Sequence, residues 1–227
     1  MSTTWLKDEI ISLRTPEPED LELMYAMESD TALWSVGNAT LPYSRYTLRA
    51  YLEESKQDLF AERQARFVIE LADGKTAGMI DLADFDPLNS RAEVCIGLLG
   101  KHRNKGIATR ALTLLNDYAF KMLHINQLYA FIPEWNEESI RLFEKNGFKK
   151  SALLQQWQRT ENGYCNVFLV QKFTESPIFD RKSKKNRIFP KKNSKKFAGS
   201  KKSPTFALAL RHEQSSSLKF WCVSSVG

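Results

Sequence analysis

A short apolar strand, a basic turn that contains a glycine, and a long amphipathic helix follow one another between residues 92 and 122. Residues 92–99 are mostly apolar, and apolar side chains recur at helical spacing from Ile107 to Met122. The turn therefore joins the end of a strand to the start of a helix of about five turns. A unit of this kind needs a sheet with helices packed on it, and it places Gly106 close to the start of the helix.

The turn itself reads Arg103-Asn104-Lys105-Gly106-Ile107-Ala108. The first N–H groups of a helix have no internal partner and lie at the positive end of the helix dipole, so they can bind a pyrophosphate. Gly106 would let the backbone approach the anion without a Cβ in the way, and Arg103 and Lys105 would add charge at the rim. An ordinary basic turn is the alternative interpretation of these six residues.

Two further segments also predict a helix next to a strand. Residues 136–148, Asn-Glu-Glu-Ser-Ile-Arg-Leu-Phe-Glu-Lys-Asn-Gly-Phe, predict a short helix that ends on Gly147 and is followed by a strand. Residues 13–21, Leu-Arg-Thr-Pro-Glu-Pro-Glu-Asp-Leu, predict a first strand that leads into a first helix.

Other elements follow from local signals. Residues 44–62 predict a helix with Ser44 as its N-cap, and Asp73-Gly74 predicts a hairpin between two strands. The helix after the basic turn is expected to begin at about Lys105, and a strand is expected near residues 148–156.

Taken together, residues 8–173 resemble the GCN5-related N-acetyltransferases (GNAT family). The resemblance rests on Arg103-x-x-Gly106-x-Ala108 and on Asn136-x-x-Ser139-x-x-Leu142-Phe143-x-x-x-Gly147-Phe148. The branch it favours holds the spermidine and diamine acetyltransferases, with the ribosomal-protein N-terminal acetyltransferases nearby. It implies an α+β fold with a mixed, curved β-sheet, a splayed central strand and flanking helices, and it implies acetyl-coenzyme A as co-substrate.

The resemblance also implies which residues bind that co-substrate. The turn would bind the pyrophosphate, and the strand before it would pair through its backbone with the pantetheine arm and the acetyl carbonyl. Gly97 suits such a place, and a simple β-bulge is its alternative explanation. Asn136 would bond to the arm, or it is an ordinary helix N-cap with Ser139 inside the first turn. The expected cofactor residues are Ile96, Gly97, Leu98, Arg103, Asn104, Lys105, Gly106, Ile107, Ala108, Thr109, Asn136 and Ser139.

The catalytic prediction centres on Glu93 and Phe143. Glu93 is the best-placed carboxylate to take a proton from an ammonium through water, and a surface charge at a strand end is the alternative. Phe143 occupies the place of the family's general-acid tyrosine, and phenylalanine has no proton to donate. The remaining candidates for a donor are Tyr129, Tyr164 and Cys165.

Acidic residues are the expected contacts of a cationic acceptor. Asp84 and Glu93 match acidic positions that the resembled enzymes use for polyamine, and strand alternation would turn Asp84 away from Asp81. Glu28 is the third expected substrate residue. With Asp30, Trp34 and Tyr43, Glu28 would form an acceptor lid, although core packing better explains Trp34 and Tyr43. His102 is interpreted as a surface histidine.

Charge divides the chain into two parts. Residues 1–173 hold 20 Lys and Arg against 24 Asp and Glu, a net of −4, whereas residues 174–227 hold 13 against 3, a net of +10. The overall pI of about 9.1 therefore does not indicate nucleic-acid binding by the main part. We expect a GNAT domain at 8–173 and a disordered basic tail at 174–227, with 11 Lys or Arg between residues 180 and 202. The tail is either a solvated appendage or a segment that binds RNA or anionic membrane.

The cysteines and the hydropathy limit the remaining classes. Cys95, Cys165 and Cys222 have no metal-ligand spacing, so no metal is expected. No apolar run reaches the length of a membrane helix, and the N-terminus lacks the apolar region of a signal peptide. A reduced, cytoplasmic protein without membrane contact is predicted.

The leading functional hypothesis is acetyl transfer from acetyl-coenzyme A to a primary amine, most simply a polyamine or diamine such as spermidine. An acidic domain attracts a polycation by Coulomb interaction. A protein N-terminus is the alternative acceptor, and a non-catalytic acyl-coenzyme A-binding module is the alternative from another class. A homo-oligomer is a candidate assembly, and nucleic acid is not expected as a partner except through the basic tail.

Overall fold

The computed structural model describes residues 5–30 and 42–174. Trp34 of the predicted lid and residues 175–227 of the predicted tail lie outside the described residues. The strands are β1 (Ile11–Arg14), β2 (Ala65–Leu71), β3 (Thr76–Asp86), β4 (Arg91–Leu98), β5 (Gln127–Pro133), β6 (Lys149–Thr160) and β7 (Gly163–Phe173). The helices are α1 (Leu21–Glu28), α2 (Arg45–Glu54), α3 (Leu59–Glu62), α4 (Ile107–Asp117) and α5 (Glu137–Lys145). No helix of the described part is long and apolar enough to cross a membrane.

The seven strands form one mixed sheet in the order β1-β2-β3-β4-β5-β7-β6. Strands β4 and β5 are parallel, and the other neighbours are antiparallel. The parallel ladder is short: it pairs Arg91, Ala92 and Glu93 with Gln127, Leu128 and Tyr129, and then the two strands separate. The α+β class, the mixed sheet and the splayed central strand are therefore confirmed.

Helices cover both faces of the sheet. On one face, Ile80 and Ile96 belong to the main core together with Leu112 of α4 and Ile140 of α5. On the other face, a smaller cluster joins Val68 and Met79 to apolar residues of α1 and α2, which are Leu23, Met24, Met27 and Leu48. The two layers leave the separated ends of β4 and β5 between α4 and α5.

The helix expected over residues 44–62 is in fact two helices. Ser44 caps α2 as expected, since its Oγ accepts the Thr47 N–H at 3.1 Å. The chain then leaves the helix at Ser55, which is extended, and Gln57 has a φ of +52°. The Asp58 carboxylate starts α3 by accepting the N–H groups of Phe60 and Ala61. A competing cap in mid-segment therefore interrupts a pattern that is otherwise helical.

Two other boundaries differ from those expected. Helix α4 begins at Ile107 rather than Lys105, because Gly106 is its N-cap with a φ of +77°. Strand β6 continues to Thr160, four residues beyond the expected end, because it pairs with β7 up to Thr160 and Gly163. The Asp73-Gly74 hairpin between β2 and β3 is confirmed.

A buried ion pair lies on the face covered by α1 and α2. Arg66 and Asp81 are opposite each other on β2 and β3, and the Arg66 guanidinium donates to both Asp81 oxygens at 2.7–3.2 Å. Both side chains are almost fully buried. Burial alone would lower the pKa of Arg66, but the attraction of the Asp81 carboxylate outweighs it, so the net shift is upward and the guanidinium stays charged.

We expect Asp81→Ala to lower the free energy of unfolding by about 3–5 kcal/mol, because it leaves a buried guanidinium without its partner. Urea unfolding measures the change. Glu22→Ala is the matched control: it removes the partner of Arg45 in an exposed ion pair and should leave the midpoint nearly unchanged. Equal midpoints for the Asp81 variant and the unchanged protein would contradict the interpretation.

Candidate active site

A cleft opens where β4 and β5 separate. Glu93 and Tyr129 form the last pair of the parallel ladder, and the five residues from Val94 to Leu98 of β4 have no pairing with β5. Their edge therefore faces an opening instead of a neighbouring strand. Glu93 and Tyr129 lie at its closed end, and Leu98 lies at its mouth.

A cavity of about 330 Å³ occupies the mouth of this cleft. It lies between the start of α4 and one side of α5. Six predicted cofactor residues line it, namely Leu98, Asn104, Gly106, Ile107, Ala108 and Thr109. Four residues of α5 also line it, namely Glu138, Arg141, Leu142 and Lys145, and of these only Leu142 belonged to a sequence motif.

The turn before α4 has the backbone geometry that an anion site needs. Gly106 has a φ of +77°, no side chain caps the helix, and a Cβ placed on Gly106 would meet no atom within 4 Å. The first intrahelical bond runs from the Arg110 N–H to the Gly106 oxygen at 3.2 Å, so the N–H groups before Arg110 have no partner within the helix. These open donors fit a diphosphate.

Arg103 was expected to add positive charge at the rim of the cavity, but its side chain is bound elsewhere. Its Nε donates to the Leu98 carbonyl at 3.2 Å, and its guanidinium lies 3.8 Å from the Asp30 carboxylate. Neither Arg103 nor Lys105 lines the cavity. Arg103 instead holds the end of β4 against the end of α1.

The strand residues Ile96 and Gly97 can serve the cofactor only through their backbone. Ile96 is fully buried in the core. Gly97 pairs with Met79 in a regular part of the β3–β4 ladder, so the bulge considered for it is not there. The irregularity of this ladder lies between Ala83 and Asp86 instead.

Gly78 is a structural requirement that the sequence did not reveal. A Cβ at Gly78 would overlap the Gly97 carbonyl oxygen and would lie 2.8 Å from the Leu98 Cα, both backbone atoms. The close approach of β3 sets the position of the β4 backbone at the mouth of the cleft. Only the pairing of Gly78 with Leu98 shows this role, and that pairing is not visible in local sequence.

Asn136 acts as the N-cap of α5. Its Oδ1 accepts the Ser139 N–H at 3.2 Å, and Ser139 is completely buried in the first turn. The capping interpretation is confirmed. A bond from either side chain to the cofactor stays a prediction.

Phe143 lies fully buried on α5. Its ring packs edge-on against Phe148, with the ring centroids 4.9 Å apart. The side chain therefore contributes to the core beneath the cleft, and it brings no donor to it.

Glu93 is buried, with 6% of its surface exposed, so the interpretation as a surface charge is wrong. Burial raises the pKa of the Tyr129 phenol well above its ordinary value, and the negative charges of Glu93 and Asp84 raise it further. The phenol and the two carboxyl groups thus lie close together at the closed end of the cleft.

Asp84 sits in the irregular part of β3. Its φ is +44°, and the register shifts between Ala83 and Asp86, so the simple alternation used to orient it does not hold. Asp84 is exposed, and its charge acts on Tyr129. The neighbouring Asp86 is engaged in its own turn, where it accepts two hydrogen bonds from Asn89.

Several other predicted site residues lie elsewhere. Glu28 is almost completely buried and its charge acts on Tyr43 and Arg66, and its contact with a substrate stays a prediction. Tyr43 packs against the smaller core cluster, as expected. His102 is buried, and burial followed by the charges of Lys101 and Lys105 lowers its pKa, so the surface assignment is wrong.

Tyr164 and Cys165 are too far from the closed end of the cleft to act there. Tyr129 pairs with Gln171 on β7, and Cys165 lies six residues from Gln171, roughly 20 Å along the strand. Of the three candidate donors, only Tyr129 lies at the closed end of the cleft.

Comparison with known proteins agrees with this geometry. The family profile described as "Acetyltransferase (GNAT) domain" matches residues 11–149. The chain belongs to the GNAT acetyltransferases. It is an acetyl-coenzyme A-dependent N-acetyltransferase.

Individual members of the family are similar to this chain over most of their length. The chain is 30% identical over 173 residues to the spermidine N(1)-acetyltransferase of Escherichia coli K12, covering 76% of this chain and 91% of that protein. It is 30% identical over 145 residues to the putative ribosomal N-acetyltransferase YdaF of Bacillus subtilis, covering 62% and 79%. In fold, it is similar to the Vibrio cholerae spermidine N-acetyltransferase crystallised with CoA and spermine, with a TM-score of 0.66 and 22% identity over 74% of this chain and 97% of the other.

We expect Gly78→Ala in this acetyltransferase to weaken acetyl-coenzyme A binding and to lower the melting temperature, because the new methyl group would force β3 away from the Gly97 carbonyl. Gly100→Ala is the control, since a Cβ there meets no atom within 4 Å. Calorimetric titration with coenzyme A and a thermal scan measure the two effects. The same affinity and melting temperature in both variants would show that the contact is unimportant.

Proposed function

We propose that this acetyltransferase moves the acetyl group to a primary amine of a polyamine or diamine. The observation that carries the proposal is the buried Glu93 at the closed end of the cleft, with Asp84 exposed nearby. An ammonium group is attracted to two carboxylates, and the region up to Phe173 carries a net negative charge.

The dimensions of the cleft support this assignment. From Leu98 at the mouth to Glu93 at the closed end is five residues of extended strand, roughly 16 Å. An extended pantetheine arm bridges a comparable length between its diphosphate and its sulfur. With the diphosphate at the Gly106 turn, the thioester reaches toward Glu93 and Tyr129.

Glu93 acts as the base. An acceptor amine is an ammonium near neutral pH and must lose a proton before it can attack. Glu93 takes that proton, directly or through a water, and its negative charge also holds the ammonium in place. Acetyl-coenzyme A supplies the activated acyl group.

Tyr129 replaces the missing tyrosine at position 143. Its raised pKa keeps the phenol protonated over the ordinary pH range but also makes it a weaker acid, so its proton moves to the departing thiolate only as Glu93 returns a proton to the phenol oxygen. As the C–N bond forms and the C–S bond breaks, the phenol proton goes to sulfur, and the proton held by Glu93 replaces it. The nitrogen then loses its second proton through the unprotonated Glu93 to solvent, so of the two protons that leave the ammonium one ends on the thiol and one in water.

The named relatives favour a small amine over a protein acceptor. Spermidine N-acetyltransferases of two bacteria are among them, and one solved neighbour holds spermine. YdaF supports the protein N-terminus as the second acceptor class. A solved dodecameric neighbour supports a homo-oligomer for this chain as well. A cytoplasmic location stays a prediction.

The acceptor is tested by measuring thiol release from acetyl-coenzyme A with the full chain and spermidine, spermine, putrescine or an N-terminal alanine peptide. We expect release with the polyamines and none with the peptide, and Glu93→Gln should lower kcat by about 10²–10⁴-fold. Release with the peptide alone would overturn the proposal. An unchanged kcat in Glu93→Gln would refute the assignment of Glu93 as the base.

The proton donor is tested by a pair of variants. We expect Tyr129→Phe to lower kcat by on the order of 10²-fold, and the unchanged enzyme to show no loss of kcat from Tyr129 ionisation as pH rises toward 10, because the pKa of Tyr129 is raised. Phe143→Tyr should change kcat little, since that ring is packed in the core. A large gain from Phe143→Tyr together with full activity of Tyr129→Phe would refute the assignment.

A further inference from the structure

One side of α5 forms the outer wall of the cofactor cavity. Glu138, Arg141, Leu142 and Lys145 are spaced three, four and seven residues apart, so they share one helix face. Leu142 is buried and lines the cavity together with Leu98, whereas the lining residues Arg141 and Lys145 are exposed. Their long side chains can reach the open end of the cavity.

A hydrogen bond fixes this wall against α4. The Thr113 hydroxyl donates to the Asn146 Oδ1 at 3.0 Å, which joins the second turn of α4 to the C-terminal end of α5. Lys145 therefore lies beside the first turn of α4, where Thr109 lines the same cavity. This bond holds the two walls of the cavity together within the fold itself.

Coenzyme A carries more negative charge than the Gly106 turn can balance. It has a diphosphate and, farther from the thiol, a separate phosphate on the ribose 3′ oxygen. The turn offers backbone N–H groups to the diphosphate, and the Arg103 side chain is held by Leu98 and Asp30. Arg141 and Lys145 are the cationic side chains that line the cavity within the described residues.

The carboxylates near the rim of the cavity do not neutralise Arg141 and Lys145, so both side chains can bind an anion. Arg141 bonds to Glu137 at 2.9 Å, but both side chains are largely exposed, so the pair is weak and easily replaced. No carboxylate of residues 5–30 or 42–174 forms an ion pair with Lys145. Glu138 is the one carboxylate among the lining residues, and two cations outweigh it.

We propose that Arg141 and Lys145 bind the 3′-phosphate of coenzyme A. The thioester arm enters beside Leu98, and the diphosphate lies at the turn, so the ribose phosphate is the one that projects toward the exposed rim. The two residues thereby select acetyl-coenzyme A over donors that carry the same arm and thioester without this phosphate. This inference is independent of the acceptor, because it concerns the opposite end of the cleft.

The experiment compares coenzyme A with 3′-dephospho-coenzyme A by calorimetric titration of the full chain. We expect the unchanged protein to bind coenzyme A about tenfold more tightly, and Arg141→Gln and Lys145→Gln each to reduce this preference about threefold. The double variant should bind the two ligands equally, with its affinity for the dephospho form unchanged. Lys145→Arg should keep most of the preference, and added salt should reduce it.

Lys149→Gln is the matched control. It removes the same charge from an exposed lysine four residues away that does not line the cavity, so the preference for coenzyme A should remain. Thermal scans verify that each variant is folded. An equal loss for both ligands would place the two cations on the diphosphate and overturn the proposal, as would an unchanged preference in the double variant.

Discussion

The interruption of the β4–β5 ladder is the feature on which the rest of the site depends. Parallel strands normally continue to pair, and here pairing stops after Glu93 and Tyr129. The exposed edge of β4 then needs hydrogen-bond partners, because buried backbone groups without partners are costly. The pantetheine arm of the co-substrate, an extended chain with amide groups along its length, is the proposed source of these partners. The binding cleft is thus a missing stretch of sheet.

The same interruption creates a cleft whose two ends have different chemistry. At the closed end, a buried carboxylate and a protonated phenol lie together, which favours proton transfer. At the open end, backbone N–H groups and the cations of α5 surround a cavity, which favours phosphate. Negative and positive charges therefore occupy opposite ends of one cleft, and a donor that carries its phosphates at one end of a neutral arm can bind in only one direction.

The sequence predicted the parts of this arrangement that depend on local patterns. The strand–turn–helix unit, the Ser44 and Asn136 caps and the Asp73-Gly74 hairpin follow from residue types at short spacing, and the structure confirms them. The burial of Glu93 and of His102 could not be predicted in this way, because it depends on which elements pack over them. The bulge at Asp84 and the role of Gly78 are set by a neighbouring strand, and the cavity residues of α5 become visible only once α4 lies beside them.

The contact between Gly78 and the Gly97 carbonyl has a consequence for how variation in this protein is interpreted. Gly78 touches neither reacting group, yet every side chain larger than hydrogen would displace the strand that receives the cofactor. In a library of random variants scored only for activity, position 78 would be as intolerant as Glu93 and would be mistaken for part of the chemistry. Scoring protein abundance alongside activity separates the two, because losses at Gly78 lower both quantities and losses at Glu93 lower activity alone.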